Sequence, residues 1–189
     1  PLLGALNVVV NVGFEYHNEF LRNVVFAKDL DRDVFSQAMD VAQSYRLDPG
    51  VFLFAGATVL TTSEMLSEVE CSLIYLQELK LFANVMVPNL QTYTLPDLLY
   101  EAGCYRLPEP YFLLDIVDLR PERPYAVTPF DWFLGGLESD PQPRLNLLTN
   151  PGKSTSNTVT HAIHQCVLEL VRTQDKARYR REAARLREE

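Results

Sequence analysis

The chain is poor in the residues that announce chemistry. It has three cysteines, Cys71, Cys104 and Cys166, scattered and odd in number, with no CxxC pair. That pattern fits a reduced, cytoplasmic protein better than a disulfide scaffold. No apolar run reaches the ~18 residues of a membrane helix, so no membrane is expected. The first residues, PLLGALNVVVNVGF, lack a basic stretch and a small-residue cleavage site, so a signal peptide is not expected either. Positive charge is scarce as well: the net charge is −8, which opposes broad binding to phosphate backbones or anionic lipid. GxSxG, GxGxxG and HExxH are all missing.

What is present is the balance of a folded domain. Hydrophobic residues are 47% and charged residues 22% of 189, which argues against disorder and for one domain. The charge is segregated. Residues 172–189 carry seven Lys or Arg against four Asp or Glu, so a basic tail follows a body more acidic than the whole. The expected organisation is a globular domain over 1–171 and a charged helical extension over 172–189.

The strongest local signal is TTSEMLSEVECSLIYLQELKLFA, residues 61–83. Thr61 and Glu64 have capping-box spacing, and Leu66, Val69, Leu73, Leu76 and Ala83 make an apolar stripe at helical period. This is the expected central helix. A second helix is expected over about 32–46, with Val34, Ala38, Val41, Ala42 and Tyr45 on one face and Asp29, Asp31 and Asp33 at its positive end. A helical stripe at Tyr16, Phe20 and Val24 suggests another over about 15–27. Residues 5–14 read as a buried strand, and YFLLDIVDL at 111–119 reads as the best strand in the chain. Periodicity does not separate strand from helix over 51–60; the Asp48-Pro49 start tips the reading to helix. Val85 to Val87 suggests a very short strand, 94–101 a short helix stopped by Gly103, and 128–135 another. A long C-terminal helix is expected over 158–186. Together these describe a helix-rich α+β fold with a small sheet containing 6–13 and 111–119.

Several constellations invite a functional reading. Gly152-Lys153-Ser154-Thr155 matches the end of a phosphate loop and precedes a helix, but the first glycine of GxxxxGK[ST] is replaced by Leu147. A looser anion site at the helix start remains open, as does a plain loop and N-cap. His161 and His164 stand at i, i+3 and could share a metal with a distant acid, or simply pack and cap. Asp29, Asp31, Asp33 and Asp40 copy part of a calcium-loop spacing, with Val34 where glycine is needed. Glu78-Leu79-Lys80 copies the ExK of metal-dependent nucleases without its strand. Cys104 beside Gly103 is a lone thiol with no base tied to it. Trp132 and Phe133, with Phe130, Tyr111, Phe112 and Tyr125, are a dense aromatic group that could be a groove or core. Arg178, Arg181 and Arg185 on the basic tail could dock on an acidic surface, including a second copy's body.

No catalytic set assembles and no cofactor is implied. The expectation is a non-catalytic cytoplasmic interaction or scaffold protein that self-associates, through the C-terminal helix and the proline- and aromatic-rich region 105–137. Two alternatives stand beside it: a small metal-dependent hydrolase using His161 and His164, and an anion-binding module at 152–156.

Overall fold

Thr61 opens the central helix as its sequence requires. Its backbone N–H donates to Glu64 Oε2 at 2.8 Å, and Glu64 N–H donates to Thr61 Oγ1 at 3.4 Å. The computed structural model that shows this describes residues 9–119, 125–128, 145–146 and 155–188. The elements are β1 (Val9–Glu15), a π-helical turn (Phe20–Val25), α1 (Arg32–Ser44), β2 (Asp48–Phe54), α2 (Thr62–Glu78), β3 (Phe82–Met86), β4 (Asn89–Leu90), α3 (Leu95–Glu101), α4 (Phe112–Asp118), β5 (Ala126–Thr128), β6 (Leu145–Asn146), α5 (Asn157–Thr173) and α6 (Lys176–Glu188). The mixed, helix-rich class is as expected.

Four strands form one parallel sheet in the order β1-β2-β3-β5, so each new strand is added beside its predecessor. Val12 faces Val51, Val51 faces Ala83, and Val85 faces Val127. β4 and β6 make a separate antiparallel pair. Val51, Leu53, Ala83, Val85 and Val127 point to one face and are nearly inaccessible. The helices lie on that face. Phe14, pushed out at a bulge near the end of β1, stacks on Phe35 of α1 at 4.3 Å and on Tyr75 of α2 at 5.6 Å. α2 buries Met65, Val69, Leu73 and Leu76 there, and α4 packs against both α2 and α5.

Several expectations are corrected. Residues 51–54 are strand rather than helix: Val51, Leu53 and Ala55 are buried on one side, while Phe52 and Phe54 alternate on the other. The reverse holds at 111–119, which is helix α4 and no part of the sheet. Phe112, Leu113, Leu114 and Ile116 are all buried, and a short helix enclosed on several sides has the same continuous apolar run as a buried strand. The central helix stops at Glu78, because Lys80 turns left-handed (φ 57°) and sends Phe82 and Ala83 into β3. Tyr16 to Ala27 holds only the π-helical turn, since Glu15 still belongs to β1. α1 forms, N-capped by Asp31, but buries Phe35 and Met39. Its expected core face is turned outward, with Val34 59%, Val41 56% and Tyr45 76% exposed.

The C-terminal span is helical as expected, with one break. Gln174 adopts the left-handed region (φ 57°), and α6 folds back along α5. Tyr179, Ala183 and Leu186, at i, i+4 and i+7, are buried against the body, and the Tyr179 hydroxyl donates to the Leu114 carbonyl at 3.2 Å. The helix read from sequence as an extension is thus seated on the fold. The 128–135 helix lies outside the described residues apart from Thr128, which is in β5.

Candidate functional site

The two faces of the sheet differ sharply. Opposite the helices lie Val9, Asn11 and Gly13 of β1, Asp48, Gly50, Phe52 and Phe54 of β2, and Phe82, Asn84 and Met86 of β3. Val9 is 55% and Phe82 44% exposed. Asn11 lays its amide across Gly50, where a Cβ would sit 2.3 Å from Asn11 Oδ1. Val9, Asn11, Asp48, Gly50, Phe82 and Asn84 line a shallow recess of about 340 Å³. Parallel sheets are ordinarily covered on both faces. Among the described residues this second face is covered only toward the carboxyl ends of β1 and β2, where Phe26 packs on Phe54 at 5.5 Å and Lys28 lies over Gly13.

At the carboxyl ends of the strands, where parallel sheets commonly place ligands, the chain between β1 and α1 folds over the top. Glu15 holds a left-handed φ of 62° and pairs with Lys28 Nζ at 2.7 Å above Gly13. Ala27 and Asp29 on either side of Lys28 are left-handed too. Arg22, at 1% exposure, ties the segment together. Its Nε donates to the Leu30 carbonyl at 2.7 Å, its Nη1 to the Tyr16 and His17 carbonyls at 3.0 and 2.8 Å, and its guanidinium lies 4.9 Å above the Phe14 ring. Tyr16 accepts from the Gly56 and Ala57 N–H groups at 3.3 Å each; burial pushes its hydroxyl up to about 12, against the pull of those two donors. The His17 N–H donates to Ser72 Oγ of α2 at 2.8 Å. Burial first, then the cations Arg32 and Arg22, hold the His17 imidazole below its usual range, and Nε2 lies 3.2 Å from Arg32 Nη1. In this geometry a neutral ring accepts from the guanidinium. These contacts anchor a loop to the sheet. They set no nucleophile beside a base.

The residues singled out in the sequence are dispersed. His161 is exposed while His164, one turn on, is buried, so the pair does not present a shared face. Among the described residues no group of three or more His, Cys, Asp or Glu is placed to hold a metal ion. Gly152, Lys153 and Ser154 lie outside the described residues. Thr155 is buried and donates to Glu109 Oε2 at 3.2 Å, and Ser156 caps α5 by accepting from Val159 N–H at 3.3 Å. Trp132 and Phe133 also lie outside the described residues. Of the aromatic residues grouped with them in the sequence, Phe112 is core, and Tyr111 and Tyr125 are half-buried. Arg178 pairs with Glu169 at 3.0 Å, Arg185 with Glu182 at 3.2 Å, and Arg187 with Asp115 and Asp118 at 2.9 Å each, while Arg181 is exposed. The basic tail therefore spends much of its charge within its own chain. Asp31 is a helix cap, with Asp33 beside it in the first turn of α1. Glu78 ends α2, Lys80 lies in the turn beyond it, and Cys104 is exposed. Between α5 and α6 runs a groove of about 320 Å³ with Cys166 in its wall, a thiol that burial pushes above its usual range.

The features sequence reasoning missed are Arg22, the Glu15–Lys28 pair and the open sheet face. The alternation Val9, Asn11, Gly13 against Val10 and Val12 was the one available signal for the last, since it interleaves polar and small residues with apolar ones. Nothing local marks Arg22, whose partners are carbonyls.

No family model matches the chain, and no curated protein matches it. Among solved structures it is similar to the X-ray crystal structure of the YdjI aldolase from Escherichia coli K12. That likeness has 12% identity and a TM-score of 0.31, over 96% of this chain and 78% of that one. A similarity so slight carries no argument about fold or activity. No helix among the described residues is long and apolar enough to cross a membrane.

Proposed function

We propose that this chain is a non-catalytic, self-associating interaction protein of a reducing compartment such as the cytoplasm, and that its contact surface is the open face of the β1-β2-β3-β5 sheet. The observation that carries the reading is that, among the described residues, no helix covers the second face of a parallel sheet, with Val9 and Phe82 exposed beside the half-buried Phe52 and Met86. Covering such a face removes apolar area from water at roughly 25 cal/mol per Å² before the costs of association. The three cysteines are free thiols, in keeping with that compartment.

The proposed contact surface differs from the tail. Arg178 and Arg185 are engaged with Glu169 and Glu182, and region 105–119 is built into the core. The two surfaces answer differently to salt, because ionic contacts between exposed charges are screened and apolar burial is not. The test is mass by light scattering across a range of protein and salt concentrations, for the native sequence and for Phe82→Asp. The expected outcome is an oligomer that resists salt and is lost in Phe82→Asp. A monomer at every concentration overturns the reading, and an oligomer that salt dissolves and Phe82→Asp leaves intact returns it to the tail.

A further inference from the structure

The partner of the open face is set by how the sheet is built. Its strands are added in sequence, all parallel, and α1, α2 and α4 between them pack on one side. Sheets wound in both directions have helices on both faces and an interior first strand. Sheets wound one way close into a barrel, in which the face without helices becomes the interior. Among the described residues this sheet has four strands, which is half of the eight whose barrel is just filled by side chains. Two edges are left, β1 and β5, and among the described residues no strand pairs with the outer side of either. Edges of this kind invite pairing with another chain.

A second unpartnered surface accompanies that edge. α1, the helix that follows β1, turns Val34, Ala38, Val41 and Tyr45 outward at helical spacing, and the three large ones are more than half exposed. A solvated helix has no use for that stripe. A neighbouring helix beside the β1 edge would use it.

We infer that the occupant is a second copy of this chain, and that two copies close a single eight-stranded parallel barrel about a two-fold axis, β5 of each beside β1 of the other. The inference rests on the self-association reading above and adds its number and geometry. Closure encloses Val9, Phe52, Phe82 and Met86 of both copies. It also seats the outward stripe of α1 against the helices that follow the partner's β5. Because the strands remain parallel, the Glu15–Lys28 pairs of both copies come to the same end of the barrel, the end at which such barrels bind their ligands.

The test uses the full chain. Sedimentation equilibrium is expected to give twice the 21.6 kDa chain mass, and Phe82→Asp and Val41→Lys are each expected to give folded monomers, with cooperative unfolding retained. Residue-resolved amide exchange is expected to slow with protein concentration along the outer edges of β1 and of 126–128. A dimer abolished by Phe82→Asp whose β1 amides exchange as fast as in the monomer would overturn closure and leave self-association standing. So would a trimer or a larger assembly that Phe82→Asp dissolves. A monomer at all concentrations would overturn both.

Discussion

Arg22 is the residue whose loss tests the physical account most directly. It is almost fully buried in a short segment whose other buried side chains are Tyr16 and Leu21, and it serves the carbonyls of Leu30, Tyr16 and His17 while covering the Phe14 ring. Arg22→Met keeps most of the apolar stem and removes the fork. Each of the three hydrogen bonds contributes about 1 kcal/mol net, and a desolvated cation over a ring roughly 1 kcal/mol more. The sum, about 4 kcal/mol, is a large share of the 5–15 kcal/mol of a typical domain. With a urea dependence of about 2 kcal/mol per molar, the unfolding midpoint should fall by about 2 M. Arg22→Lys keeps the charge and loses the planar fork, so it should lie between the two. Urea titration followed by far-ultraviolet circular dichroism measures both. A loss under ~1 kcal/mol for Arg22→Met, or full stability in Arg22→Lys, would refute the claim that the fork holds the 16–30 segment.

Two further outcomes follow from the same contacts. Since the folded pKa of His17 lies below its ordinary value, the unfolded chain takes up the proton first as pH falls, so its contribution to stability is present above about pH 6.5 and is lost on acidification. His17→Gln should flatten the change in urea midpoint between about pH 7 and about pH 5.5, and an unchanged slope would remove His17 as the cause. Leu186, 1% exposed on α6, should cost about 2 to 5 kcal/mol on replacement by Ala, seen in thermal or urea unfolding. A change below ~0.5 kcal/mol would mean that α6 is a solvated extension after all.

Local chemistry was legible in the sequence. The Thr61–Glu64 capping box, the acidic start of α1, the 95–101 helix ended at Gly103 and the helical character of the C-terminal span each depend on residues within a turn or two of one another. Where the chain was read wrongly, the deciding partner was remote. An apolar run such as VFLF becomes a strand because β1 and β3 lie on either side of it, and FLLDIV becomes a helix because α2 and α5 enclose it. Both runs satisfy either geometry until a neighbour is present.

The face of α1 was read from period alone, which finds a stripe without saying which way it turns. Phe35 stacking on Phe14 made the choice and left Val34, Val41 and Tyr45 outside. The same holds for function. His161 and His164 are neighbours in sequence, yet burial separates them. The open face of the sheet gathers residues from strands more than thirty positions apart. Sequence determined which segments could bury apolar surface and where the helices begin. Tertiary structure alone decided which surface is left uncovered, because exposure belongs to the packing of all elements together.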